Sequence, residues 1–248
     1  MPTLPKDTQI TQITVASATR QGTRVANADS AAVHTLYNGT VGAAIVDGIG
    51  SSAEIAAYAH LAANVAARIG PRRTSILGLL SAAELNAAPF AEPISPDGVA
   101  VLAVAAPGED ETSIAWTGDA RAYGYDEGRL HQRTTDMTVA DYLRANGFPV
   151  EATTRHEDWI RASLGRSTIN TVHQAHITDR LILLTSDGVH KQITHERLAE
   201  LVREHAADPQ VLADAVVAEP QADQDGYRDD ATVIVILRTP HTDSTIAD

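Results

Sequence analysis

Two apolar runs in this chain stop on Asp-Gly: Val41-Gly-Ala-Ala-Ile-Val-Asp47-Gly48 and Leu181-Ile-Leu-Leu-Thr-Ser-Asp187-Gly188. A buried strand that ends in a carboxylate leaves a charge where the backbone turns, and that charge must meet solvent, a turn hydrogen bond or a cation. Two further carboxylates stand at strand edges. Asp29 follows Arg24 and Asn27, and Asp229-Asp230 precedes Ala231-Thr-Val-Ile-Val-Ile-Leu237. One Asp-Gly alone is most often a turn, so the recurrence is what points to a site. Gathered at one point, such hard oxygen ligands suit Mg²⁺ or Mn²⁺, which keep several waters and take few carboxylates each.

The elements that must position these residues follow from local pattern. Strands are expected over 10–17, 31–37, 40–46, 99–105, 112–117, 121–125, 170–177, 181–185 and 231–238. Asn38-Gly39 between two of them predicts a hairpin with a type I′ turn. Ser51-Ser-Ala-Glu54 reads as a capping box with Ser51 as N-cap, opening an Ala-rich helix to Ile69 that is apolar on more than one face and hence buried. Further helices are expected at 74–88, closed by Pro89, and at 138–145, 195–205 and 209–218. Hairpins at both ends and helices in two consecutive pairs point to antiparallel sheets covered by helix pairs, an α+β layered sandwich. The segment 148–168 has no strong period and reads as a mobile insertion, a flap beside the site. Residues 1–248 read as one domain, with loose ends at 1–8 and 240–248.

Composition narrows the function. A net charge of −13 argues against a nucleic-acid partner, which needs a basic stripe. With no cysteine there is no thiolate nucleophile and no Cys-type metal site. The first residues have no apolar signal core, and no run approaches a membrane span, so a cytoplasmic, monomeric protein free of membrane is the expectation.

In order along the chain come Arg24-x-x-Asn27-x-Asp29, Val46-Asp47-Gly48-x-Gly50, Thr117-Gly118-Asp119-Ala-Arg121-Ala-Tyr123, Thr135-Asp136, Leu183-Leu-Thr-Ser186-Asp187-Gly188 and Asp229-Asp-Ala-Thr232. Together they resemble the metal-dependent protein phosphatases, the PPM family of Ser/Thr phosphatases, of bacterial type. The resemblance covers about residues 20 to 238. It implies a four-layer αββα sandwich and a phosphoserine/phosphothreonine phosphatase that uses a dimetal-activated water. By similarity Asp47 bridges two Mn²⁺ or Mg²⁺ ions, the Gly48 carbonyl assists at one, Asp187 and Asp229 complete that one, and Asp29 holds a water. Arg24 would receive the phosphate with its planar fork of donors. Asp119 matches a position linked to a third, looser ion. The implied partner is a phosphorylated protein, with a Ser/Thr kinase as its natural counterpart.

Four positions depart from the family pattern. Ala28 stands where Glu is usual, Ile49 where a His proposed as proton donor is often found, Lys191 in place of an acid, and Asp230 in place of a frequent Asn. Isoleucine cannot protonate a leaving alkoxide. The departures at Ala28, Ile49 and Lys191 support a second reading, a weak or inactive phosphatase-like module that binds a phosphoprotein or regulates a kinase. A third comes from Gly48-Ile-Gly50-Ser-Ser-Ala53, which matches the G-x-G-x-x-A dinucleotide fingerprint. That fingerprint lacks its second strand ending in an acid, since Gly70-Pro-Arg-Arg73 stands there. His173 and His176 would lie on opposite faces of a strand, which argues against zinc.

Overall fold

The computed structural model describes residues 11–86 and 95–240. Two five-stranded sheets form its centre. One runs β1 (Thr11–Arg20), β10 (Ala231–Pro240), β9 (Leu181–Thr185), β6 (Arg121–Asp126) and β7 (Arg129–Gln132). The other runs β2 (Asp29–Thr35), β3 (Val41–Gly48), β4 (Gly98–Ala105), β5 (Thr112–Thr117) and β8 (His173–Ile177). Every neighbouring pair is antiparallel. Helices α1 (Ala53–Ile69) and α2 (Ser75–Ala83) pack on the second sheet, and α6 (His195–His205) and α7 (Pro209–Ala218) on the first. The short helices α3 (Val139–Ala145), α4 (Val150–Thr153) and α5 (Asp187–His190) lie in connections. This is the expected αββα sandwich.

The central strands are apolar on both faces because both faces are covered. On β9, Ile182 and Leu184 point into the layer between the sheets while Leu181 and Leu183 meet α6 and α7. β10 repeats the division with Ile234 and Ile236 against Val233 and Val235. β3 does the same with Ala43 and Ile45 inward and Ala44 and Val46 toward α1. Each such Ile, Leu or Val contributes about 1.5–3 kcal/mol by leaving water. On α1 the buried face is almost entirely alanine (Ala59, Ala62, Ala63, Ala66, Ala67), so the helix backbone comes close to the sheet. A Cβ on Gly42 would stand 2.3 Å from the Ala67 carbonyl, which is why β3 carries glycine there.

Local expectations were met to within a few residues, with instructive exceptions. The β2–β3 turn is not type I′, because only Gly39 has positive φ. Gly39 N–H donates to the Leu36 carbonyl and Leu36 N–H to Thr40, giving a type I turn closed by a left-handed glycine. The α1 cap is Ser52, whose hydroxyl accepts from Ile55 N–H, so Glu54 falls one place short of the capping-box position. The second helix ends at Ala83 and tightens into a 3-10 turn, Glu84–Asn86, and the rest of its expected span lies outside the described residues. The strand anticipated from 170 begins at His173, β7 was not anticipated, and Pro240 closes β10 instead of belonging to a tail. Residues 1–8 and 241–248 lie outside the described residues.

The segment 148–168 carries structure without strong periodicity. It holds α4 and 3-10 turns at Thr154–His156 and Leu164–Arg166. It is also stitched to the start of α3: Ile160 bridges Thr138, Val139 N–H donates to Trp159 O, and Arg161 N–H to Met137 O.

Candidate metal centre

Antiparallel pairing decides where the carboxylates meet. Asp29 opens β2 and is the direct partner of Asp47 near the end of β3. Asp47 in turn pairs with Val99 at the start of β4, and β5 ends beside it at Thr117, just before Gly118-Asp119. In the other sheet β9 ends at Thr185, just before Asp187, and β10 begins just after Asp229-Asp230. Strands that alternate in direction bring alternate starts and ends to one rim. There Arg24, Asp47, Gly48, Asp119, Asp187 and Asp229 line one cleft of ≈ 840 Å³, together with Ile49, Lys191, Asp158 and Tyr227.

Asp187 is aimed by a one-turn helix and not by the bare turn that Ser-Asp-Gly suggests. Ser186 is the N-cap of α5 and Asp187 its first residue. A Cβ on Gly188 would stand 1.9 Å from the Asp230 carbonyl, so only glycine lets this turn lie against the Asp229-Asp230 backbone. Ser186 links the sheets: its hydroxyl donates to Asp29 Oδ2 at 2.6 Å and accepts from Thr232 N–H at 3.0 Å. Asp230 turns its carboxylate away from the cleft, accepting from Gly22 N–H at 2.7 Å and Ala28 N–H at 2.8 Å. It does not line the cleft, although its charge still reaches Asp29, and it folds the loop that carries Arg24. Arg24 reaches Asp229 Oδ2 at 3.3 Å and lies over the Tyr227 ring at 5.4 Å.

The electrostatics record a surplus of negative charge. Burial, reinforced by the Asp187 charge, pushes Asp29 well above the usual carboxylate range against the Ser186 hydrogen bond. Burial and then the charges of Asp187, Asp29 and Asp119 do the same to Asp47. Asp119, only 2 % exposed, is pushed up to about 6 by burial although Lys191 opposes the shift. Asp229 is raised by burial and by Asp187, with Arg24 working the other way. Asp187 goes down: burial would raise it, but Lys191 and His190 outweigh that. Lys191 Nζ lies 3.0 Å from Asp187 Oδ2 and 3.0 Å from Asp119 Oδ2.

The donor set is all carboxylate and carbonyl oxygen, the chemistry of a hard divalent ion. Among the described residues no three Asp, Glu or His side chains stand close enough to cage an ion on their own. Mg²⁺ and Mn²⁺ do not require such a cage, because water supplies much of their coordination sphere. The like-charge pair of buried Asp29 and half-buried Asp47 fits such a cation, since direct cross-strand pairing of equal charges is otherwise unfavourable.

The sequence matches no family model and no curated protein. Solved structures do match. A Streptococcus agalactiae serine/threonine phosphatase superposes with a TM-score of 0.71 at 15% identity, over 91% of this chain and 99% of that one. The fold is that of the bacterial Ser/Thr phosphatases. The catalytic domain of the serine/threonine phosphatase PstP, solved with two manganese ions, matches with a TM-score of 0.65 at 20% identity, over 92% and 99% of the two chains. The PPM Ser-Thr phosphatase MsPP of Mycobacterium smegmatis, solved with cacodylate, matches with a TM-score of 0.64 at 20% identity, over 90% and 97%. In this phosphatase fold β3 is antiparallel to both of its neighbours. The Gly48-Ile-Gly50-Ser-Ser-Ala53 match therefore lacks the parallel βαβ unit that a dinucleotide fingerprint needs.

Two contributors to the cleft escaped sequence reasoning. Asp158, in the 148–168 segment, accepts from Lys191 Nζ at 3.0 Å, and nothing local marks it. The tie from Ser186 to Asp29 is the other, although the place of Ser186 one residue before Asp187 is a usable signal for a support role.

Proposed function

We infer that this chain is a metal-dependent phosphoprotein phosphatase acting on phosphoserine or phosphothreonine. The observation that carries the reading is the gathering of Asp47, Asp119, Asp187, Asp229 and Arg24 on one rim, with Asp29 paired to Asp47. Asp47 would sit between two divalent ions, with the Gly48 carbonyl, Asp187 and Asp229 completing one and Asp29 acting through water. When bound, the ions supply a nucleophilic water near neutral pH and offset the charge of an in-line phosphoryl displacement.

The chain's own residues do the rest. Asp230 holds the Gly22–Ala28 turn through two backbone N–H groups, so that Arg24 projects into the cleft. The guanidinium, about one-third exposed, faces solvent on the side where a phosphoester would arrive. Its pairing to Asp229 at 3.3 Å is loose enough for phosphate oxygens to share the fork. Ser186 keeps Asp29 aligned. Ile49, 48 % exposed at the cleft edge, offers no proton to the leaving oxygen. An ester with an acidic leaving group, p-nitrophenyl phosphate, should therefore be turned over well relative to a phosphothreonine peptide.

The test is hydrolysis of both substrates as manganese is titrated. Turnover that rises with manganese and disappears with chelator supports the reading. A folded protein with no turnover at any manganese concentration would instead favour the phosphoprotein-binding module, for which the pairing of Lys191 with three of the cleft carboxylates is the specific support.

A further inference from the structure

One corner of the cleft holds a cation that the chain itself supplies. Lys191 follows α5 one turn after Asp187, and its Nζ lies 3.0 Å from each of Asp119 Oδ2, Asp158 Oδ1 and Asp187 Oδ2. It donates directed hydrogen bonds to Asp158 and Asp187. Asp119 Oδ2, buried, has the Lys191 ammonium at 3.0 Å as its answering charge and no other donor among the described residues. An unpaired carboxylate so dry is costly, and the ammonium answers it. The three carboxylates come from the β5–β6 turn, the 148–168 segment and α5, so they meet only at this point.

We propose that the Lys191 ammonium is the resident cation of the Asp119–Asp187 corner and keeps a divalent ion out of it. This rests on reading the cleft as a metal centre. A divalent ion bound to the same Oδ2 atoms would have to sit against the ammonium, and two cations in contact repel. Asp187 keeps its second oxygen for the ions on the Asp47 side, whereas Asp119 serves the ammonium and not a metal. The cleft therefore accepts fewer divalent ions than its number of carboxylates would allow.

The experiment counts manganese ions per full-length chain by native mass spectrometry, at saturating metal, for the native protein and three variants. Lys191→Met should bind one more ion than the native protein. Asp119→Asn should bind the native number, because that carboxylate holds no metal while Lys191 is present. The Lys191→Met/Asp119→Asn double variant should return to the native count. Equal counts for the native protein and Lys191→Met, zero in both included, overturn the inference, as does loss of an ion on Asp119→Asn alone. The second arm needs no change at Lys191 and so decides the matter even if the methionine variant does not fold. If the native chain binds no manganese and Lys191→Met binds one, the inference stands and the two-ion reading of the site falls.

Discussion

On the β2–β3 side of the cleft, Asp29 and Asp47 are met by neutral donors: the Ser186 hydroxyl at 2.6 Å and, at a long 3.4 Å, the Asp187 backbone N–H. Across the cleft, Asp119 and Asp187 share the Lys191 ammonium. The residue type is the same on both sides, and the titration behaviour is not. Neutral donors cannot cancel a buried charge, so Asp29 and Asp47 are driven far toward the protonated form. Beside the ammonium, Asp187 stays below its ordinary value, and Asp119, almost fully buried, rises only to about 6. Under the proposed reading one side takes its cation from solution, and the other carries its own.

The sharpest way to break this contrast is Asp47→Asn. Under the proposed reading Asp47 lies between both ions, so removing its carboxylate should cost more than about 100-fold in manganese-dependent turnover, beyond the loss typical of residues that only support a ligand. The same change removes a buried charge, so thermal unfolding in chelator should show the metal-free variant more stable, by on the order of 1 kcal/mol. A variant that is both inactive and less stable would count against a cation-dependent pair. Next, Arg24→Ala should lower kcat/KM by about 10–100-fold, the loss of a charge-assisted hydrogen bond to phosphate. Ser186→Ala should weaken manganese affinity by about 10-fold through Asp29, with little effect on KM for p-nitrophenyl phosphate.

The pH dependence of stability tests the same difference without substitution. Asp29, Asp47 and Asp119 bind protons more tightly folded than unfolded, so metal-free stability should fall as pH rises from the ordinary carboxylate range through their raised values, Asp119's lying at about 6. The slope is up to about 1.4 kcal/mol per pH unit for each group inside its window. Asp187, shifted down, works in the opposite sense at the acid end, contributing stability that is lost as pH falls. Saturating magnesium should flatten the decline, so chelator-versus-magnesium melting curves should differ more at pH 8 than at pH 5. A gap independent of pH would contradict the assignment. The smallest effect expected is for Asp158→Asn. Asp158 is 83 % exposed, so its tie to Lys191 contributes under about 1 kcal/mol, and backbone hydrogen exchange across 150–160 should rise less than about fivefold.

Much of this was legible because it is local. Strand ends marked by Asp-Gly, the covered faces of the β9 and β10 runs, and the helices at 195–205 and 209–218 depend on short-range pattern, and the structure places them there. Asp230 shows where that legibility stops. Adjacent to Asp229, it reads as one more charge on the site, yet backbone N–H groups from the Arg24 loop turn it away. The 148–168 segment shows it again. Without period it reads as a free flap, but backbone hydrogen bonds join it to residues 137–139 and Gly165 N–H donates to Asp97, partnerships that no composition rule contains.

The sequence alone determined which residue types could bind a hard cation, and that each stands at the edge of an apolar strand, because side-chain chemistry and strand period are properties of short stretches of chain. The tertiary structure alone decided that those ends share one rim, and which carboxylates find a cation already waiting. Antiparallel register and sheet packing set those distances, and electrostatic balance depends on distance through space rather than along the chain.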